Sequence, residues 1–208
     1  MSAVLKCVSQ HKGNQMKINE KLILVDCDGV LLDWQYSFYN WMAKRGHTPV
    51  VDAEYDMGKV FNMPYEQAKQ YCEYFNCSAA IGWLTPFRDS VKYVRKLHED
   101  HGFVFHCITS LSTDKYAGKL RKKNLEALFG KKVFEEVICL ECGGDKDEAL
   151  EPYRDTGCFW VEDKPENAEL GTRLGLNSFL IDHPHNNNFE SNNLTKVANW
   201  AEIYGLIV

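Results

Sequence analysis

Asp26 and Asp28 stand two residues apart in VDCDGVLLDW (25–34), at the end of an apolar run and directly before a glycine. Two carboxylates so placed can share a cation, or one can attack an electrophile while the other moves a proton. Either alone fits a plainer part, since Asp at a strand end often starts a turn. Further along, Thr109 and Ser110 close the run FVFHCITS, and Glu162 and Asp163 close CFWVED. Lys146 heads the short segment KDEALEPY. Singly, Thr-Ser is ordinary helix-capping chemistry and Lys146 a solvated charge. Jointly they bring carboxylates, a hydroxyl and a cation toward one crevice. Carboxylates crowded there repel one another unless a cation is present, and hard oxygen donors of this kind suit Mg2+.

The crevice exists only if the elements carrying these residues are neighbours. Five short apolar runs, at 22–26, 103–110, 137–141, 158–163 and 178–182, are each nearly continuous in hydrophobicity. That is the pattern of strands buried on both faces of a parallel sheet. Helical patterns separate most of them. One is expected from Thr85 as N-cap and Pro86 to a stop at Gly102, another ends at Gly130, and a third runs from Pro165 to near Gly175. Strands alternating with helices predict an α/β fold: a Rossmann-like parallel sheet with helices on both faces. In such sheets ligands sit beyond the C-terminal strand ends, where Asp26, Thr109 and Asp163 fall.

The first two strands are too far apart for one crossover helix. Residues 34–84 read as a helical unit inserted after the first strand, with WQYSFYNWMAKRG and MPYEQAKQYCEYF as its amphipathic helices. About half of the aromatic residues fall there. Most must pack a small core; a few at its mouth could stack on a planar ligand such as a base. Trp34, Phe38, Trp41, Phe61 and Trp83 are the candidates. The remaining division is a lead-in over 1–17 and a core of 18–33 with 85–208. The Asn-rich stretch 183–193 reads as a polar loop before a final helix, LTKVANWAEIYG.

Composition narrows the function classes. Hydrophobic residues make up 45% and charged residues 25%, ordinary for a globular chain. A net charge of -5 gives no field that attracts a nucleic-acid polymer or an anionic membrane. No apolar run reaches the roughly 20 residues of a membrane span, and the N-terminal stretch lacks a secretory h-region. Eight cysteines are many. Cys139 and Cys142 have zinc-knuckle spacing, with Cys72 and Cys77 as possible further ligands, but free thiols in a reducing cytoplasm are the favoured reading.

The ordered set DCDGV, ITS, a lysine and VED resembles the four-motif signature of the haloacid dehalogenase-like superfamily of phosphohydrolases, over about residues 20–183. The resemblance implies Asp26 as the nucleophile that forms an aspartyl-phosphate, and Asp28 as the general acid and base. It implies Mg2+ held by Asp26, the Asp28 backbone carbonyl and Asp163. Thr109 would bind phosphoryl oxygens, with Ser110 beside it, and Lys146 would neutralise charge. Lys115, Lys122 and Lys123 compete for that last place. Glu162 and Asn167 would stand behind the ligands, Asn167 orienting a water. The insert would be a C1-type cap, which suits a small phosphorylated metabolite. DCDGVLLDW, ITS and LIDHPHN are similar to 5'(3')-deoxyribonucleotidase-like members, in which cap aromatics bracket the base. A sugar-phosphate phosphatase and a catalytically weak binding protein on the same scaffold remain the alternatives.

Overall fold

The computed structural model describes residues 21–52 and 54–208, so the lead-in expected over 1–17 lies outside the described residues. Six parallel strands form one sheet in the order β3-β2-β1-β4-β5-β6. They are β1 (Leu22–Val25), β2 (Val104–Thr109), β3 (Phe134–Cys139), β4 (Phe159–Glu162), β5 (Asn177–Ile181) and β6 (Thr195–Val197). The helices are α1 (Trp34–Ala43), α2 (Met57–Val60), α3 (Tyr65–Asn76), α4 (Ser90–His101), α5 (Lys115–Phe129), α6 (Asp147–Leu150), α7 (Pro165–Arg173) and α8 (Trp200–Ile207). Among the described residues no helix is long and apolar enough to cross a membrane.

The five apolar runs supply β1 to β5. Alternation along each strand feeds two cores. Ile23, Val25, Phe105, Cys107, Val161, Phe179 and Ile181 pack on one face with residues of α1, α3, α4, α5 and α8. Leu22, Leu24, Ile108 and Trp160 pack on the other with Leu150 of α6 and Leu170 of α7. Both faces are thus covered, as parallel sheets require. The order places β1 centrally, with β2 on one side and β4 on the other, so the chain reverses its direction of travel across the sheet there. A crevice opens beyond the strand ends at such a point.

Three expectations need correction. The third strand starts at Phe134, before its apolar run, because Phe134 pairs with Phe105 across a register shift. The last segment is not one helix. Thr195–Val197 first adds β6 to the edge of β5, and α8 begins only after Asn199, whose side chain caps Glu202 N. Finally, α4 begins at Ser90 rather than at Pro86. Thr85 and Pro86 instead pair with the chain leaving β1: Asp33 N donates to Thr85 O at 2.9 Å, and Leu32 bridges to Pro86.

Between β1 and β2, α1 and α3 pack through aromatic rings. Phe38 stacks on Trp34 at 4.5 Å and meets Phe61 and Phe75 edge-on at 5.9 and 5.4 Å. It has no exposed surface. Phe38 therefore belongs to the core, and the expectation that it faces a ligand falls away. Burial of such a ring contributes about 1.5–3 kcal/mol.

Candidate active site

The segment leaving β1 turns at once. Cys27 O accepts from the backbone N–H groups of Leu31 and Leu32 at 2.8 and 2.9 Å, and Gly29 sits at φ +77°. A Cβ at Gly29 would stand 2.5 Å from Asp163 Oδ2, so only glycine lets β1 and β4 deliver their acids so close together. Asp26 is 9% exposed, and its Oδ1 accepts from Cys27 N at 2.6 Å and from Lys146 Nζ at 2.9 Å. Lys146 is buried and also donates to Glu162 Oε1 at 2.8 Å, with its ammonium over the Trp160 ring. Of the lysines weighed from the sequence, Lys146 is the one at Asp26. Lys115 lies over Tyr116, Lys123 over Trp83, and Lys122 pairs with Glu126.

Glu162 is fully buried and fully engaged. Oε1 also accepts from Asn167 Nδ2 at 2.7 Å, while Oε2 accepts from the backbone N–H groups of Asp163 and Lys164. Burial alone would raise its pKa, but Lys146 and these donors outweigh burial and lower it. Asn167 thus holds Glu162 through its amide nitrogen. With Glu162 committed, Asp163 is the residue at this strand end with a carboxylate to spare.

The acids exceed the one lysine. Ligand oxygens of Asp26, Glu162 and Asp163 all lie within 4.8 Å of one another. Burial, opposed by Lys146 and reinforced by Glu162 and Asp28, raises the Asp26 pKa to about 7. Burial, then Glu162 and Asp26, raises that of Asp163 as well. A divalent cation between Asp26 and Asp163 would relieve both, and an all-oxygen donor pair of this type fits Mg2+. Asp163 also belongs to a second group with His183 and His185. There His183 Nε2 is 2.7 Å from Gly29 O, which commits that nitrogen as an N–H donor to the turn.

Thr109 ends β2 beside β1. Its Oγ1 is buried and has no hydrogen-bond partner among the described residues. A buried hydroxyl left unpaired costs about 1–3 kcal/mol, so such a group commonly awaits a ligand. Ser110 differs from expectation: its Oγ donates to Gly144 O at 2.7 Å and ties β2 to the loop that delivers Lys146. Asp28 lies at the rim, its side chain one quarter exposed. Both its oxygens accept from the guanidinium of Arg121 on α5, Oδ2 at 2.9 Å. Arg121 has no exposed surface and also contacts the Sγ of Cys27, which is likewise buried.

Arg121 is absent from the expected set because it reads as one more charge in KLRKKN. A signal was present: it occupies the apolar stripe of α5 with Ala117, Leu125 and Phe129. Two further residues were missed, in stretches that read only as loop. Tyr55 meets His185 edge-on at 5.2 Å, and His185 stacks on His183, which stacks on Phe87. Tyr55 is 55% exposed, and its link to the acids runs through His185, whose Nε2 lies 3.6 Å from Asp163 Oδ2. By contrast Trp34 donates to Asn76 Oδ1, and Trp41 is covered by the Arg45 guanidinium at 3.3 Å. Both are partly buried in the insert's own packing. Trp83 is 73% exposed but lies against Lys123. The four cysteines weighed as possible zinc ligands form no metal-sized group among the described residues. Cys77 contacts Ser112, Cys142 contacts Asn76, and the seven described cysteines are free.

No protein-family profile matches the chain. An uncharacterised 32.4 kDa protein of bacteriophage T4 is 32% identical over 141 residues, which is 64% of this chain and 49% of that protein. The chain thus spans about half the length of that relative. A nucleotidase of Clostridium acetobutylicum is 25% identical over 192 residues, covering 89% of this chain and 92% of its own. Among solved structures, a haloacid dehalogenase-like hydrolase from Streptococcus pneumoniae superposes with a TM-score of 0.62 at 13% identity, covering 90% of this chain and 98% of that one. A hydrolase of the same superfamily from Bacillus subtilis, bound to magnesium, gives 0.58 at 10% identity and covers 90% and 98%. At such identities the likeness establishes the fold.

Proposed function

Proceeding from the haloacid dehalogenase-like fold of this chain, we propose that it is a Mg2+-dependent phosphomonoester hydrolase acting through an aspartyl-phosphate. One observation carries the reading: β1, β2 and β4 end side by side in Asp26, the unpaired Thr109 hydroxyl and Asp163, with Lys146 buried between Asp26 and Glu162. Phosphoryl transfer asks for little more than positioning and charge, and this set supplies both.

Asp26, Asp163 and the backbone carbonyl of Asp28 would hold Mg2+, which would neutralise charge on the phosphoryl oxygens and the attacking carboxylate. Lys146 fixes Asp26 through Oδ1, leaving Oδ2 as the nucleophile. Oδ2 attacks phosphorus, the bond from phosphorus to the ester oxygen breaks, and Asp28 gives that oxygen its proton. Thr109 Oγ1 donates to a phosphoryl oxygen. Water then attacks phosphorus and passes a proton to Asp28. The bond from Asp26 to phosphorus breaks, and inorganic phosphate leaves. Keeping an acid at position 28 favours ester hydrolysis over dehalogenation, because an alkoxide needs a proton and a halide does not.

The helical unit of residues 34–84 serves as a cap of the C1 type over a small substrate. A nucleoside monophosphate is the favoured one. The rings of Tyr55 and His185 beside Asp163 support this, as does the likeness to a nucleotidase. These rings replace Phe38, Trp34 and Trp41 as the base-facing group. The seven described cysteines, all free, support action in a reducing cytoplasm.

The test is turnover of nucleoside monophosphates, sugar phosphates and p-nitrophenyl phosphate in Mg2+, for wild type, Asp26→Asn and Tyr55→Ala. The reading expects Asp26→Asn to abolish all turnover, and Tyr55→Ala to raise KM for nucleotides more than for p-nitrophenyl phosphate. Sugar phosphates as the better substrates would overturn the nucleotide assignment. No turnover of any ester would leave a binding protein on this scaffold.

A further inference from the structure

Arg121 is the buried charge that the proposed reaction leaves unused. Its guanidinium has no exposed surface, so it cannot touch a substrate. It reaches the crevice only through Asp28, with one nitrogen on each carboxylate oxygen. Its other polar contact is Cys27 Sγ at 2.9 Å, and its Nε has no partner among the described residues. A cation buried among Cys27, Cys107 and Cys139 is expensive to hold, and a plain core position in α5 would carry an apolar side chain. Asp28, by contrast, is partly open, and solvent alone could satisfy it.

We propose that Arg121 is a positioning residue that sets the orientation of the Asp28 carboxylate for proton transfer to and from the leaving group. The inference rests on the hydrolase reading above. A fork-to-fork contact is planar, and it takes one lone pair of each carboxylate oxygen. It therefore fixes both the plane of the carboxylate and the direction of the lone pairs that remain. An Asp on a turn between β1 and Gly29 otherwise has a free χ2, since terminal torsions of this type are broad. Cys27 gives the clamp its second point: Arg121 grips the residues on either side of one peptide link, so the turn and the acid are held together.

Steering of the acid has a signature that packing alone lacks. An alkyl phosphate leaves as a basic alkoxide and depends on the proton of Asp28. An aryl phosphate leaves as a weakly basic phenolate and depends on it little. General acid–base assistance contributes about 10²–10⁴-fold. Arg121→Met keeps the length and apolar stem while removing the fork. It should lower kcat/KM, which ends at release of the alcohol and so excludes the water step that both esters share, by about 10²-fold for an alkyl phosphate and by less than about tenfold for p-nitrophenyl phosphate. In an Asp28→Asn background the same substitution should cost almost nothing further, because both changes remove one function.

The experiment is the four-protein cycle of wild type, Arg121→Met, Asp28→Asn and the double variant, each assayed on both esters, with melting curves for the folded fraction. If Arg121→Met does not fold, Arg121→Lys takes its place; it keeps the charge, loses the fork, and should show the same discrimination between leaving groups. Equal losses on the two esters, or additive losses in the cycle, would make Arg121 a packing residue and overturn the inference alone. A wild type inactive on both esters would overturn the hydrolase reading, and this inference with it.

Discussion

Replacing Lys146 with Met tests how the charges of the site are balanced. Lys146 is 1% exposed, with its ammonium 2.9 Å from Asp26 Oδ1 and 2.8 Å from Glu162 Oε1. Removing one partner of a buried ion pair costs about 3–5 kcal/mol. Here Glu162 keeps its donors from Asp163 N, Lys164 N and Asn167, and Asp26 keeps Cys27 N. These place the loss at the lower end, about 3 kcal/mol. For a chain of this size each kcal/mol moves Tm by about 2–4 °C, so a fall of about 6–12 °C is expected near neutral pH. The difference should depend on pH. Lys146 depresses the Glu162 pKa in the folded state, and a depressed carboxylate pKa gives stability that is present above the unfolded value near 4.5 and lost as pH falls through the folded one. Wild type and variant should therefore converge in acid. Melting curves across pH, followed by circular dichroism, read both effects. An unchanged Tm at neutral pH, or a gap that widens in acid, would refute the buried triad of Asp26, Lys146 and Glu162.

Thr109→Val removes a buried hydroxyl without a partner, so stability should hold or rise slightly while kcat on phosphate esters falls about 10²-fold; a loss of stability instead would mean that the hydroxyl is already paired. Gly29→Ala would set a Cβ 2.5 Å from Asp163 Oδ2 at φ +77°, and should lower Tm and weaken Mg2+ binding measured by calorimetry. Equal affinity in the variant would separate the turn from the acid pair. Burial, despite the bond to Gly29 O, lowers the His183 pKa from 6.5 to about 4. A depressed histidine stabilises above its unfolded pKa and loses this as pH falls, so wild type should weaken between pH 6.5 and about 4, and His183→Gln less so. Parallel pH profiles would count against this burial.

Much of this site could be read from strand ends. Asp26, Thr109 and Asp163 follow apolar runs, and one rule of parallel sheets puts such residues at one edge. What the rule cannot supply is the use of each side chain. Ser110 had the right place and the wrong partner, because its hydroxyl found Gly144 O first. Asn167 sat one helical turn past Asp163 yet turned back to Glu162. Phe38 lies on an amphipathic helix whose apolar face says that it packs, but not whether against protein or ligand; full burial decides that. Arg121 and Tyr55 come from a helix and a loop that no motif marks, and their meeting with Asp28 and His185 depends on long-range packing. β6 is only three residues long and pairs at an edge, too short a pattern to stand out beside the helix that follows it.

The central claim is a covalent bond between Asp26 and phosphorus. Mixing the protein with substrate and Mg2+, quenching in acid within one turnover, and sequencing the peptides by mass spectrometry tests it directly. The account predicts one phosphoryl group on the peptide carrying Asp26, absent from Asp26→Asn. Turnover that persists in Asp26→Asn, or a phosphoryl group on any other residue, would contradict it.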